Sequence, residues 1–140
     1  MKLYLDANVF IYAALQEPKD IPKARVAISY LQQLGKGKIK AATSVLSWDE
    51  VMWVALRILD ERSDAYELGK WFLRLPNLIF LPVTIEVALR AQGLVESHGL
   101  KPRDAIHASS ALTNHIDELV SDDSVFDRVP GIIRVRLSEP

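Results

Sequence analysis

The chain has 140 residues, 49% of them apolar and 25% charged, no cysteine, and a formal net charge of −1. That length reads as one domain, large enough to bury a full core without staples. The missing cysteines exclude disulfides, thiolate metal sites and a cysteine nucleophile. Charges interrupt every apolar run, which excludes a membrane-spanning helix, and a nearly neutral molecule can meet nucleic acid only through a local basic patch.

Residues 2–5 read as a first strand, with no signal-peptide core before them, so a cytoplasmic setting is expected. Residues 7–16 form a short apolar helix, and Glu17-Pro18-Lys19-Asp20 breaks it. Ala24, Ala27, Ile28, Leu31 and Leu34 recur at spacings of three and four, predicting a helix over 21–34 that Gly35 and Gly37 end. A second strand is expected over 38–43. The helix expected over 45–59 is apolar nearly all round, so it should be buried on more than one side, one of them against a second subunit. Ser63 reads as the cap of a helix over 64–75, and Pro76 closes it. Residues 78–81 form an apolar strand. Thr84 caps a helix over 85–97 that Gly99 stops, and Pro102 opens another running to about residue 114. Short strands at 119–120 and 132–135 complete an alternation that predicts a largely parallel α/β sheet.

Against this pattern the acids fall at strand ends and helix starts. The first strand stops on Asp6, and the fourth runs into Ser121-Asp122-Asp123; Asp104 opens a helix, and Glu50 lies early in another. In a parallel sheet these ends share one rim, where ligands bind. Packed carboxylates repel one another, and a divalent cation relieves that. An all-oxygen set points to Mg2+ or Mn2+ rather than zinc. The chemistry that follows is metal-assisted phosphodiester hydrolysis.

Each acid also has a structural explanation. Asp6 suits a helix N-cap. Ser47-Trp48-Asp49-Glu50 matches a capping box, unless the helix starts at Thr43 or Ser44 and leaves Glu50 deeper, in need of a partner. Asp104 suits a first helical turn, and Asp122 and Asp123 suit a plain turn. Jointly, their spacing against the strands favours a site.

Asp6 with Asn8, Glu50, the run Arg103-Asp104-Ala105-Ile106-His107-Ala108, and Ser121-Asp122-Asp123-Ser124-Val125-Phe126 resemble, over the whole chain, the motifs of PIN-domain proteins. The VapC-type ribonuclease toxins of prokaryotic toxin–antitoxin pairs are the branch they look most like. The resemblance implies a single PIN domain over 1–140, with a parallel five-stranded sheet between helices in three layers. It implies an endoribonuclease using Mg2+ or Mn2+, an RNA substrate, a homodimer and a VapB-type antitoxin. Asp6, Glu50, Asp104 and Asp123 match the four catalytic, metal-holding acids. Asn8 matches the polar position after the first acid, and Ser121 the small hydroxyl position. Asp122 stands where the family varies, and Glu50 is preferred to Asp49.

His107 shares a helical face with Asp104 and reads as a packed, hydrogen-bonded residue rather than a ligand. Trp48, Trp53 and Trp71 read as core or interface. Lys36, Lys38 and Lys40 lead into a strand and so lie on the rim opposite the acids, as a solvated face. Arg57, Arg62, Arg103 and Arg128 are better placed for phosphates. The rival functions are a PIN-fold RNA-processing nuclease without an antitoxin and a catalytically inactive interaction module. A phosphoacceptor phosphatase wants an aspartate where Asn8 stands, and the paired acids and lysine of a receiver domain are not filled.

Overall fold

The structure is a computed structural model describing residues 2–16 and 21–138; the break expected at 17–20 lies outside the described residues. In chain order the elements are β1 (Lys2–Leu5), α1 (Ala7–Leu15), α2 (Pro22–Gly35), β2 (Lys40–Ser44), α3 (Leu46–Ile58), α4 (Arg62–Leu73), β3 (Leu78–Leu81), α5 (Ile85–His98), α6 (Pro102–Thr113), β4 (Glu118–Val120), a 3-10 helix (Ser124–Arg128) and β5 (Ile133–Val135). The five strands form one sheet in the order β3-β2-β1-β4-β5, every pair parallel.

Alternation along the strands sorts the core into two layers. Leu5, Ala41 and Val120 point to one face, where Val9, Phe10, Ala27, Leu34, Val51 and Phe72 of α1 to α4 cover them. Tyr4, Ala42 and Leu119 point to the other, under Ala91, Ala105, Ala108 and Ala111 of α5 and α6 and Phe126 of the 3-10 helix. The small residues of α6 let its backbone lie close to the sheet, which matters for His107 below. The chain leaves β1 for β2 on one side and later returns to β4 on the other. The order of connection therefore reverses beside β1, and a crevice opens at the carboxyl ends of β1 and β4, where α/β sheets bind ligands.

Most expected elements appear within a residue or two. Thr84 caps α5 by accepting from the Val87 amide at 3.2 Å, and Gly99 ends it in the left-handed conformation at φ 66°. Three expectations are corrected. First, Ser63 is not a cap: α4 starts at Arg62 and Glu61 precedes it with no side-chain capping bond, so Ser63 sits inside the first turn. Second, α3 buries only Ser47, Val51 and Ala55, a stripe repeating every four residues; Trp53, Leu56 and Ile58 are exposed on the single chain. Third, of the two readings of the tryptophans, core and interface, core fails, because Trp48, Trp53 and Trp71 are each more than 40% exposed on the single chain. Arg57 stacks over the Trp53 ring, 4.2 Å from its centroid, so that cation is turned along the helix.

Candidate metal centre

Asp6 follows the last residue of β1 and is only 6% exposed. The N-cap reading of it holds, with one carboxylate oxygen turned to a second partner. Oδ1 accepts from the Ala7 amide at 2.8 Å, capping α1, while Oδ2 accepts from Ser121 Oγ at 2.7 Å. Burial pushes its pKa up, with the His107 charge and the Ser121 hydrogen bond pulling against it.

Ser121, fully buried at the end of β4, also accepts from Asn8 Nδ2 at 3.1 Å and from the Asp123 amide at 3.0 Å. One hydroxyl thus links Asp6, Asn8 and the backbone of Asp123. Asn8 Oδ1, at the other end of that amide, is buried with no hydrogen-bond partner among the described residues.

α3 begins at Leu46, so Ser47 already lies inside the first turn and cannot act as a cap. Ser44 Oγ accepts from the Leu46 amide at 3.1 Å, and Ser47 bonds to Thr43, hydroxyl to hydroxyl, at 2.6 Å. The capping-box explanation therefore fails, and Glu50 lies deeper in the helix with a partner: His107 Nε2 is 2.7 Å from its Oε1. His107 Nε2 is also 3.5 Å from Asp6 Oδ1. One ligand atom each from Asp6, Glu50 and His107 fall within 4.8 Å of one another.

Asp104, in the first turn of α6, is half-buried. Burial first, then the charges of Asp123 and Asp6, push its pKa up to about 6. The charges of Asp123 and Asp6 are thus close enough to act on Asp104. Asp123 is exposed at the mouth of the crevice, where its Oδ1 accepts from the Val125 amide at 2.9 Å and caps the 3-10 helix.

The two acids adjacent in sequence to these face elsewhere. Asp122 takes Lys23 Nζ at 2.7 Å and the Tyr12 hydroxyl at 2.9 Å, so it ties α1 and α2 to the end of β4. Burial would raise its pKa, but the bonds from Lys23 and Tyr12 outweigh that and lower it. Asp49 turns outward to Arg103, 3.6 Å away.

What sequence reasoning missed is the support behind Glu50. Tyr4, fully buried, places its hydroxyl 2.6 Å from His107 Nδ1 and accepts from the Ser44 amide at 3.0 Å. The signal was present: Tyr4 stands two residues before Asp6 in a strand, hence on the same face, and a buried phenol needs a polar partner.

The donor set fits a hard divalent cation. It consists of the Asp6 and Glu50 carboxylates, with His107 Nε2 between them, held in a partly desolvated cleft, where packed carboxylates repel one another and a cation relieves that. The unpartnered Asn8 Oδ1 adds an acceptor of the kind that water in a hydrated site satisfies.

Among solved structures, the fold is similar to VapBC2 from Rickettsia felis bound to a DNA fragment from its promoter, with TM-score 0.72 and 20% identity over 97% of this chain and 98% of that one. It is also similar to a toxin–antitoxin complex from Klebsiella pneumoniae (TM-score 0.68, 21% identity, 94% and 95% covered) and to FitAcB from Neisseria gonorrhoeae (0.68, 15%, 98% of each). No curated protein matches the sequence. The sequence model of the PIN domain matches residues 3–132, nearly the whole chain, and the protein belongs to the PIN domain family.

Proposed function

We propose that this protein is an endoribonuclease dependent on Mg2+ or Mn2+, acting as the VapC-type toxin of a toxin–antitoxin pair. The observation that carries the reading is the meeting of Asp6 and Glu50 with His107 at the β1/β4 crevice, near Asp104, whose pKa burial first and then the charges of Asp123 and Asp6 push up to about 6. Asp6, Glu50, Asp104 and Asp123 would hold the ion. When bound, the cation would neutralise charge building on a phosphodiester and lower the pKa of a water so that it loses a proton and attacks as hydroxide.

The remaining work belongs to the chain. Asp6 is locked in one rotamer by the Ala7 amide and the Ser121 hydroxyl, so its free lone pairs are aimed before any ion arrives. Glu50 is fixed in the same way by His107. Asp123, exposed at the rim, is placed to meet the solvated side of the site. His107 is 1% exposed with both ring nitrogens engaged, so it is not a general base for an attacking water.

The likeness to solved toxin–antitoxin complexes supports an antitoxin partner, and the exposed Trp53, Leu56 and Ile58 support a homodimer through α3. No described helix is long and apolar enough to cross a membrane. We read residues 1–140 as one PIN domain working in the cytoplasm.

Cleavage of a labelled single-stranded RNA with manganese, with chelator, and by Asp6→Asn and Asp104→Asn variants tests the proposal. Cleavage should require the metal and vanish in both folded variants. Cleavage that survives the two substitutions overturns the site. A protein that binds no manganese by calorimetry overturns the metal nuclease and leaves an interaction module.

A further inference from the structure

Two roles are open to a histidine in a cluster with two carboxylates. It can ligate the ion through Nε2, or it can carry a proton on Nε2 and hold a carboxylate that ligates. The hydrogen bonds decide between them. The Ser44 amide donates to the Tyr4 oxygen at 3.0 Å, and the Tyr4 hydroxyl lies 2.6 Å from His107 Nδ1. With its oxygen accepting from the backbone, Tyr4 keeps a hydroxyl proton that it can donate to Nδ1. A neutral ring then carries its proton on Nε2, directed at Glu50 Oε1 2.7 Å away. A charged ring carries a proton on Nε2 as well. The remaining tautomer would set a bare nitrogen against a bare carboxylate oxygen at that distance. In each permitted state the Nε2 lone pair is used and the ring has no ligand to give.

We infer that His107 is a positioning residue and not a metal ligand: with Tyr4 behind it, it fixes Glu50 in the orientation that holds the ion and keeps the site all-oxygen. The inference rests on the reading of Glu50 and Asp6 as ligands. The chain runs from the end of β2 through β1 and α6 to α3, so four elements set the direction of one carboxylate. Burial reinforces it, since Tyr4 and His107 are 0% and 1% exposed and no solvent competes for their bonds. An all-oxygen site favours magnesium or manganese, whereas an imidazole bound to the ion would favour zinc. Partners behind a ligand of this kind are worth about ten- to a hundred-fold in metal affinity.

The test reads manganese affinity by calorimetry and the His107 tautomer by long-range 1H–15N NMR, neither of which needs RNA. In the wild type the Nε2 proton should be present without metal and should persist with saturating magnesium. His107→Leu should lose about ten- to a hundred-fold in manganese affinity. Tyr4→Phe should move affinity in the same direction. His107→Gln, which keeps an N–H donor at similar reach, should retain most of the affinity. An Nε2 without its proton in the metal-free or loaded protein overturns the inference, and so does unchanged manganese affinity in a folded His107→Leu protein. Should His107→Leu fail to fold, the wild-type tautomer and the glutamine variant still decide. A wild type that binds no manganese sinks the proposed function and this inference with it. A wild type that binds manganese as tightly as its leucine variant sinks this inference alone.

Discussion

Ser121 makes three hydrogen bonds with one hydroxyl, donating to Asp6 and accepting from Asn8 and the Asp123 amide. Ser121→Ala strands a buried carboxylate and removes the acceptor of two N–H groups. Stability should fall by about 1–3 kcal/mol, the cost of unpaired buried groups, with the denaturant midpoint lowered and the m-value unchanged. A midpoint equal to wild type would mean that Asp6 finds another donor. Ser121 was readable from sequence as the hydroxyl beside the fourth acid. Its three-way role was not, since Asp6 and Asn8 lie more than a hundred residues away.

At the level of elements, one ion pair fastens the 3-10 helix to β5. Arg134 Nε and Nη2 reach the two oxygens of Asp127 at 2.9 and 3.0 Å, and Nη1 donates to the Ser121 carbonyl at 3.3 Å. The Arg134 bonds hold the Asp127 pKa below the usual carboxylate range. A depressed folded-state pKa means that the pair's contribution is present above the unfolded value, near 4, and is lost as pH falls through the folded one. An NMR titration should therefore find Asp127 below ordinary aspartates, and Arg134→Ala should return it to the normal range.

Two glycines carry element-level constraints. A Cβ on Gly69 of α4 would lie 2.6 Å from Met52 Sδ and 3.6 Å from Trp48 Nε1, so this glycine lets α3 and α4 approach. Gly69→Val should cost about 1–3 kcal/mol by overpacking, and Met52→Ala should recover part of it in a double-mutant cycle. Gly99 has open space around it but a φ of 66°, so Gly99→Ala should cost about 1 kcal/mol from backbone strain alone. Thermal or denaturant unfolding checks both. The glycine stop was legible because it is local chemistry. The Gly69 contact was not, because nothing within α4 announces the thioether across from it.

Across the whole molecule, a net charge of −1 conceals the meeting of Asp6 and Glu50 with His107 at one rim of the sheet. The fold holds Asp104 near Asp123, Asp6 and Glu50 against their repulsion. Asp104→Asn should therefore raise the melting temperature of the metal-free protein. It should also shrink the further rise that manganese gives the wild type, a rise expected for any ligand that binds only the folded state. An asparagine variant less stable than wild type without metal, yet equally stabilised by manganese, would remove Asp104 from the cluster. Such opposition, stability given up where a ligand will bind, is the usual mark of a functional site.

The order of strands and helices was readable from the sequence, because periodicity, caps and breakers act within a few residues. Asp6, Asp104 and Asp123 could be proposed for the same reason, each standing at the end or start of such a segment, whereas Glu50 lies inside α3. The alternation also determined a parallel sheet and hence one shared rim. Tertiary structure alone decided where α3 begins relative to Ser47, and with it that Glu50 turns to His107 instead of to its own helix start. It alone put Tyr4 beneath His107, a pairing across 103 residues. It also turned Asp122 to Lys23 and Asp49 to Arg103, away from the acids beside them. Those choices depend on β1 lying between β2 and β4 and on small residues bringing α6 down onto the sheet. A hydrogen bond between distant residues is fixed by which strands are neighbours, and no local pattern carries that information.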